Sequence, residues 1–196
     1  MRSPRGCVHA SRGLEVAPVL RTGRLVLRPW RPEDRDSLWR MQSNPATMQF
    51  LMPVPDRAAS DAVADRAEAH FARHGFGLWV VEAPGVTDFA GYTGLVHVPY
   101  EEHFTPAVEI GWRFDPAFWG HGYATEAART ALAFGFRTLG LQEIVAITVP
   151  ANRRSRAVME RLGMMRDGGG DFDLPTIPPG HPLRRQVLYR LRASLA

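Results

Sequence analysis

Several groups of residues in this chain have types and spacing that could do chemistry. Gly120-His121-Gly122 stands between an alternating run, Val108 to Phe114, and a stretch with apolar residues at 124, 127, 128, 131, 132 and 135. A strand, a glycine-bearing turn and a helix N-terminus aim free backbone N–H groups and the positive end of a helix dipole at one point. Such a point suits an anion, most often a phosphate. Glu109 lies on the strand, and Asn152 and Ser155 open a second, shorter helical pattern. His70 and His74 stand four apart, a spacing that could bind zinc. Phe71 occupies the place of a zinc peptidase's glutamate, however, and no third ligand is evident. These histidines read as solvated or core side chains.

Missing residues narrow the chemistry. A Rossmann site wants G-x-G-x-x-G and an acid at the end of the next strand. Here Thr125 replaces the third glycine, and the next strand ends Val149-Pro150. All 24 basic residues are arginine, which removes both a P-loop lysine and a Schiff-base lysine. There is no G-x-S-x-G elbow, and the single cysteine, Cys7, lies in the N-terminal tail. Chemistry with no metal and no covalent nucleophile is expected.

Hydrophobic residues at 45% and charged residues at 22% of a 196-residue chain fit one globular domain. The net charge is +4, and Arg2, Arg5 and Arg12 against Glu15 put +2 of it in the first twenty residues. A near-neutral body is a poor match for a nucleic-acid surface. No apolar run approaches a membrane span, and the basic start has no apolar segment after it. The expectation is a cytoplasmic protein with neither membrane nor nucleic acid as partner.

The elements that must position these residues follow from periodicity. Residues 1–20 lack it and read as a disordered extension, leaving 21–196 as one domain. Strands are expected at 24–28, 78–82, 90–98, 108–114, 143–149 and 185–191. Helices are expected from Pro32 until Asn44-Pro45 stops the first, from 57 to 74, from about 123 to Gly140, and from Asn152 to Gly163. Residues 168–182 are too rich in glycine and proline to form an element. The sum is α+β, with a mixed sheet of about seven strands and about four helices.

Taken together, Trp119 to Ala128 (WGHGYATEAA) and Asn152 to Met164 resemble the GNAT (GCN5-related) N-acetyltransferases, and most nearly the branch of the ribosomal-protein N-terminal acetyltransferases. Arg24 to Arg28 (RLVLR), Pro32-Glu33-Asp34, Glu109-Ile110-Gly111-Trp112 and the terminal run 187–191 (VLYRL) add to the likeness, which covers about residues 22–192. The resemblance implies a three-layer fold whose sheet splays between the 108–114 and 143–149 strands. It implies acetyl-CoA as acyl donor, with Trp112, Arg113 and Phe114 pairing with pantetheine. The turn residues Trp119, Gly120, His121, Gly122, Tyr123, Ala124 and Thr125 would hold the diphosphate. Asn152 would touch the pantetheine arm, although asparagine there is equally an ordinary helix cap. Ser155 would lie near the thioester sulfur.

The implied reaction is direct attack of a neutral amine, either a peptide N-terminus or a small molecule, on the thioester in a ternary complex. Two positions depart from the pattern. Met159 stands where many relatives place the tyrosine that protonates the thiolate, and Ile147 where some place a glutamate base. Ser155 or a water is left as acid. Glu109 acts as base through a water, or makes an ordinary salt bridge. Because both expected groups are missing, a catalytically weak GNAT-like domain that binds acyl-CoA or another ligand, as a sensor or interaction module, is the alternative. Asp171, Asp173 and His181 of the 168–182 loop are candidates to receive a cationic acceptor, and a monomer or homodimer fits equally well.

Overall fold

Alternation along the middle of the chain builds a sheet, and helices form where the chain must cross it. The computed structural model describes residues 17–193. The elements run β1 (Leu20–Arg21), β2 (Val26–Arg28), α1 (Asp34–Gln42), α2 (Pro45–Met48), α3 (Arg57–His74), β3 (Leu78–Ala83), β4 (Thr87–His97) and β5 (Val108–Phe114). A 3-10 turn, Pro116–Phe118, leads into α4 (Tyr123–Arg137), β6 (Glu143–Thr148), α5 (Arg153–Arg161), β7 (Met165–Arg166), β8 (Phe172–Asp173) and β9 (Arg185–Arg192). The sheet order is β1-β2-β3-β4-β5-β6-β9-β7, with β8 on β9. Every pairing is antiparallel except β5 with β6, where α4 supplies the crossover that a parallel pair requires.

The fold is α+β as expected, with nine strands and five helices among the described residues, where periodicity places six strands and four helices and the expected sheet had about seven strands. The additions are elements too short to show a period: the two-residue strands β1, β7 and β8, and the four-residue α2. β8 also corrects the view that 168–182 holds no element.

Alternate side chains of β3 go to different cores. Val80 packs with Trp30, Leu38, Met41, Ala64, Ala67 and Tyr92, beneath α1 and α3. Trp79 and Val81 join the larger core with Leu95, Ile110, Ala127, Ala131 and Ile144. α4 lies close on the sheet because its buried face is small. A Cβ on Gly135 would come within 2.8 Å of Ile144 Cδ1 and Leu95 Cδ1. Arg28 and Asp34 are buried and form a two-pronged ion pair at 2.8 and 2.9 Å that ties β2 to α1.

Cys7 and the first sixteen residues of the expected extension lie outside the described residues. Residues 17–20 correct the rest of that expectation. Trp79 donates its indole N–H to Pro18 O at 2.7 Å, and Leu20 pairs with Leu27. Among the described residues no helix is long and apolar enough to cross a membrane.

Candidate active site

The site begins with a failure of strand pairing. β5 pairs with β4 along its whole length, from Val108 opposite His97 to Phe114 opposite Gly91. On its other edge it meets β6 only where Glu109 faces Val145 among the described residues. Beyond that point the strands diverge and leave the later residues of β5 with backbone groups that no strand satisfies. The gap opens into a cavity of about 1230 Å³, above the roughly 300–1,000 Å³ of an ordinary small-molecule pocket. Trp112, Arg113, Phe114, Ile147, Thr148 and Val149 line its two sides.

The turn after β5 closes one end. Asp115 caps the 3-10 turn by accepting from Ala117 N, and Trp119 donates its indole N–H back to Phe114 O at 2.9 Å. Gly120 and Gly122 both take left-handed backbone conformations, φ 82° and 80°. Only glycine adopts these freely, and they turn the chain sharply onto the N-terminus of α4. Gly120, Gly122, Tyr123, Ala124 and Thr125 all line the cavity. The first turn of α4 contains Glu126, which would repel an anion, but Arg24 neutralises it with two bonds of 2.6 and 2.9 Å. His121 departs from expectation: its side chain is exposed, bonds to Trp119 O through Nδ1 and does not line the cavity.

The opposite wall is α5. Asn152 caps it by accepting from Ser155 N at 3.2 Å, and its amide donates to Thr148 Oγ1 at 3.1 Å. The cap therefore also ties α5 to the end of β6. Asn152 and Ser155 both line the cavity, so the capping and ligand-contact roles are compatible in space. Met159 is 1% exposed and forms part of the core beneath, offering no proton. Arg129, Arg153, Arg154 and Arg161 gather along this wall, and the Arg154 guanidinium stacks 4.5 Å above the Trp119 ring.

Glu109 sits where the strands part. Burial, with no charged or hydrogen-bonding partner offsetting it, pushes its carboxyl up to about 8. Among the described residues no arginine pairs with it. Tyr100 is pushed up as well, by burial first and then by the charges of Glu109 and Glu102, and its hydroxyl is buried without a partner.

The loop after β7 corrects the expected acceptor residues. Asp171 pairs with Arg166 at 2.7 Å, and Asp173 with Arg184 and Arg185 at 3.3 and 3.4 Å. His181 Nδ1 accepts from Leu183 N. None of the three lines the cavity. The reason is alternation: Phe172 is buried against Phe104 and Leu188, so its two neighbours face away toward arginines. The same loop presents Leu174, Thr176 and Ile177 to the cavity instead. Sequence reasoning also missed the facing wall, Ala46, Thr47, Phe50, Leu51 and Met52, in and just after α2. A signal was present, because Asn44-Pro45 is a helix stop and equally an N-cap followed by a first-turn proline.

Comparison with known proteins places this geometry. Residues 24–165 match the family described as "Acetyltransferase (GNAT) domain". A relative from Aspergillus fumigatus, FsC-acetyl coenzyme A-N(2)-transacetylase, is 34% identical over 176 residues, covering 85% of this chain and 73% of that protein. Spermidine N(1)-acetyltransferase of Escherichia coli is 27% identical over 142 residues, covering 72% of this chain and 73% of that protein. Among solved structures, an acetyltransferase from Agrobacterium tumefaciens superposes with a TM-score of 0.73 at 30% identity, over 90% of this chain and 95% of that one.

Proposed function

The chain belongs to the GNAT acetyltransferases and moves an acetyl group from acetyl-CoA to an amine, and from that premise we propose how its cavity is divided between donor and acceptor. The observation that carries the proposal is the divergence of β5 from β6 directly beside the Gly120–Gly122 turn. Pantetheine lies along the open edge of β5 and pairs with Trp112, Arg113 and Phe114 as an added strand would. The diphosphate sits under the N-terminus of α4, where Gly120 to Thr125 present backbone N–H groups. Arg129, Arg153, Arg154 and Arg161 supply cations for the remaining phosphate, and Asn152 meets the pantetheine arm.

The thioester then lies between β5 and Ser155. Backbone N–H groups of the splayed strand stabilise the oxyanion, which forms as the amine attacks the carbonyl carbon. Glu109 takes the amine's proton through a water. Its raised pKa of about 8 is close to that of an α-amine, about 8, which favours efficient transfer. Ser155 or a bound water returns a proton to the departing thiolate, since Met159 cannot.

Among the described residues the cavity is lined by two carboxylates, Glu126 and Glu109; Glu126 is occupied by Arg24 and Thr22, and the lining also includes the apolar Phe50, Leu51, Met52, Ile177 and Leu183. A polyamine carries several charges that such walls would strand. The cavity favours an acceptor with one amine on a neutral or apolar body. Thiol release from acetyl-CoA measured against N-terminal peptides, hydrophobic monoamines and spermidine tests this. Monoamines or peptides should exceed spermidine in kcat/KM. Preference for spermidine would overturn the acceptor assignment.

A further inference from the structure

Outside the cavity, the fold adds a third imidazole to the pair that helical spacing places together. His70 and His74 occupy the last turns of α3, and His97 is the final residue of β4. One ring nitrogen from each lies within 4.8 Å of the others, and the ring centroids stand 4.5, 4.6 and 5.7 Å apart. None of the three lines the acetyl-transfer cavity. We propose that His70, His74 and His97 form a binding site for a divalent transition cation, zinc in the first instance, that clamps the end of α3 to the end of β4.

Four features support it. His70 Nδ1 donates to Phe76 O at 2.7 Å, the outer-shell bond that fixes a ligating histidine's tautomer and leaves Nε2 with a lone pair. The i, i+4 spacing puts two imidazoles on one helical face. The C-terminus of an 18-residue helix carries partial negative charge and favours a cation. The Phe76 ring packs against all three imidazoles, at 5.1, 6.0 and 5.3 Å, and gives them an apolar floor.

Zinc–nitrogen bonds of about 2.0–2.1 Å put the nitrogens of a tetrahedral site roughly 3.3 Å apart. His74 and His97 are exposed and close the remaining distance by side-chain rotation. Binding also releases the 3.2 Å contact from His97 N–H to His70 Nε2. The exposed Arg73 opposes the cation, and solvent screens it. Three neutral nitrogen ligands suit zinc, copper or nickel and do not suit magnesium or calcium. Phe71 stands where a zinc peptidase keeps its acid, and three histidines leave the fourth position of a tetrahedral zinc to water.

The test is titration of the metal-free full chain with zinc chloride by calorimetry. The protein should carry no polyhistidine tag and have Cys7 replaced by serine. One saturable zinc per chain is expected, together with a zinc-dependent rise in Tm. His74→Ala and His97→Ala should each lower affinity at least tenfold and abolish the rise in Tm. Both residues are exposed, so the metal-free variants should keep the parent's circular dichroism. Absence of saturable binding, or binding that both variants leave unchanged, would overturn the site.

Discussion

In the proposed mechanism Glu109 is the base, and its environment determines its behaviour. A carboxyl held at about 8 by burial is mostly protonated at pH 7 and becomes a base only as the pH rises. The acetyl-transfer rate should therefore climb through pH 8 in step with ionisation. Glu109→Gln should cost on the order of 100-fold near pH 8 and flatten that climb, measured as kcat/KM against pH. A stability effect accompanies the kinetic one. Between the ordinary carboxylate pKa and 8 the unfolded chain has released this proton while the folded chain keeps it, so stability falls as pH rises across that window. Chemical denaturation of the Gln variant should show less of that fall. Little of this was visible in the sequence, where alternation placed Glu109 on a face but gave no sign of how deep that face lies. Asp171 and Asp173 show the same limit from the other side. Their composition suggested a receptor for cations, and three neighbouring arginines had already claimed them.

At the scale of elements, the strand–turn–helix proposed to cradle the donor was the most legible part of the molecule. β5, its glycine turn and α4 are local, so their signals lie side by side in the chain. The ends of α3 were legible for the same reason: Asp56 caps it by accepting from Ala59 N, and Gly75 closes it at φ 74°. α2 was not, because four residues cannot display a 3.6-residue period and its start signal doubled as a stop. The divergence of β5 from β6 could be named only through resemblance, since pairing between strands separated by a helix leaves no local trace. Gly111 offers a clean test of that divergence. Open space surrounds the position of its missing Cβ, and its backbone conformation is ordinary for a strand. Gly111→Val should preserve folding, as valine suits a strand, while blocking the open edge. Acetyl-CoA affinity is expected to fall roughly tenfold or more with Tm unchanged. A fall in Tm with affinity retained would place the donor elsewhere.

Over the whole molecule, one buried ion pair joins the N-terminal segment to the sheet. Arg28 reaches Asp34, Glu82 and two backbone carbonyls, those of Pro29 and Asp88. Asp34 also accepts from Arg31 N at 2.7 Å. Asp34→Ala leaves the buried Arg28 with Glu82 as its remaining carboxylate, so the loss of two charged hydrogen bonds should cost about 1.5–3 kcal/mol, seen as a Tm lower by roughly 6 °C. The unfinished pairing of β5 has a consequence of a different kind. The sheet is joined across its middle at one register point, and in the proposed binding mode acetyl-CoA stands in for the strand pairing that is absent there. Saturating acetyl-CoA, at a hundred times its Kd, should add about 2.7 kcal/mol to the folded state, measurable as slower cleavage by a protease that attacks opened chains. The enzyme's lifetime in the presence of such a protease would then rise and fall with the supply of its own donor.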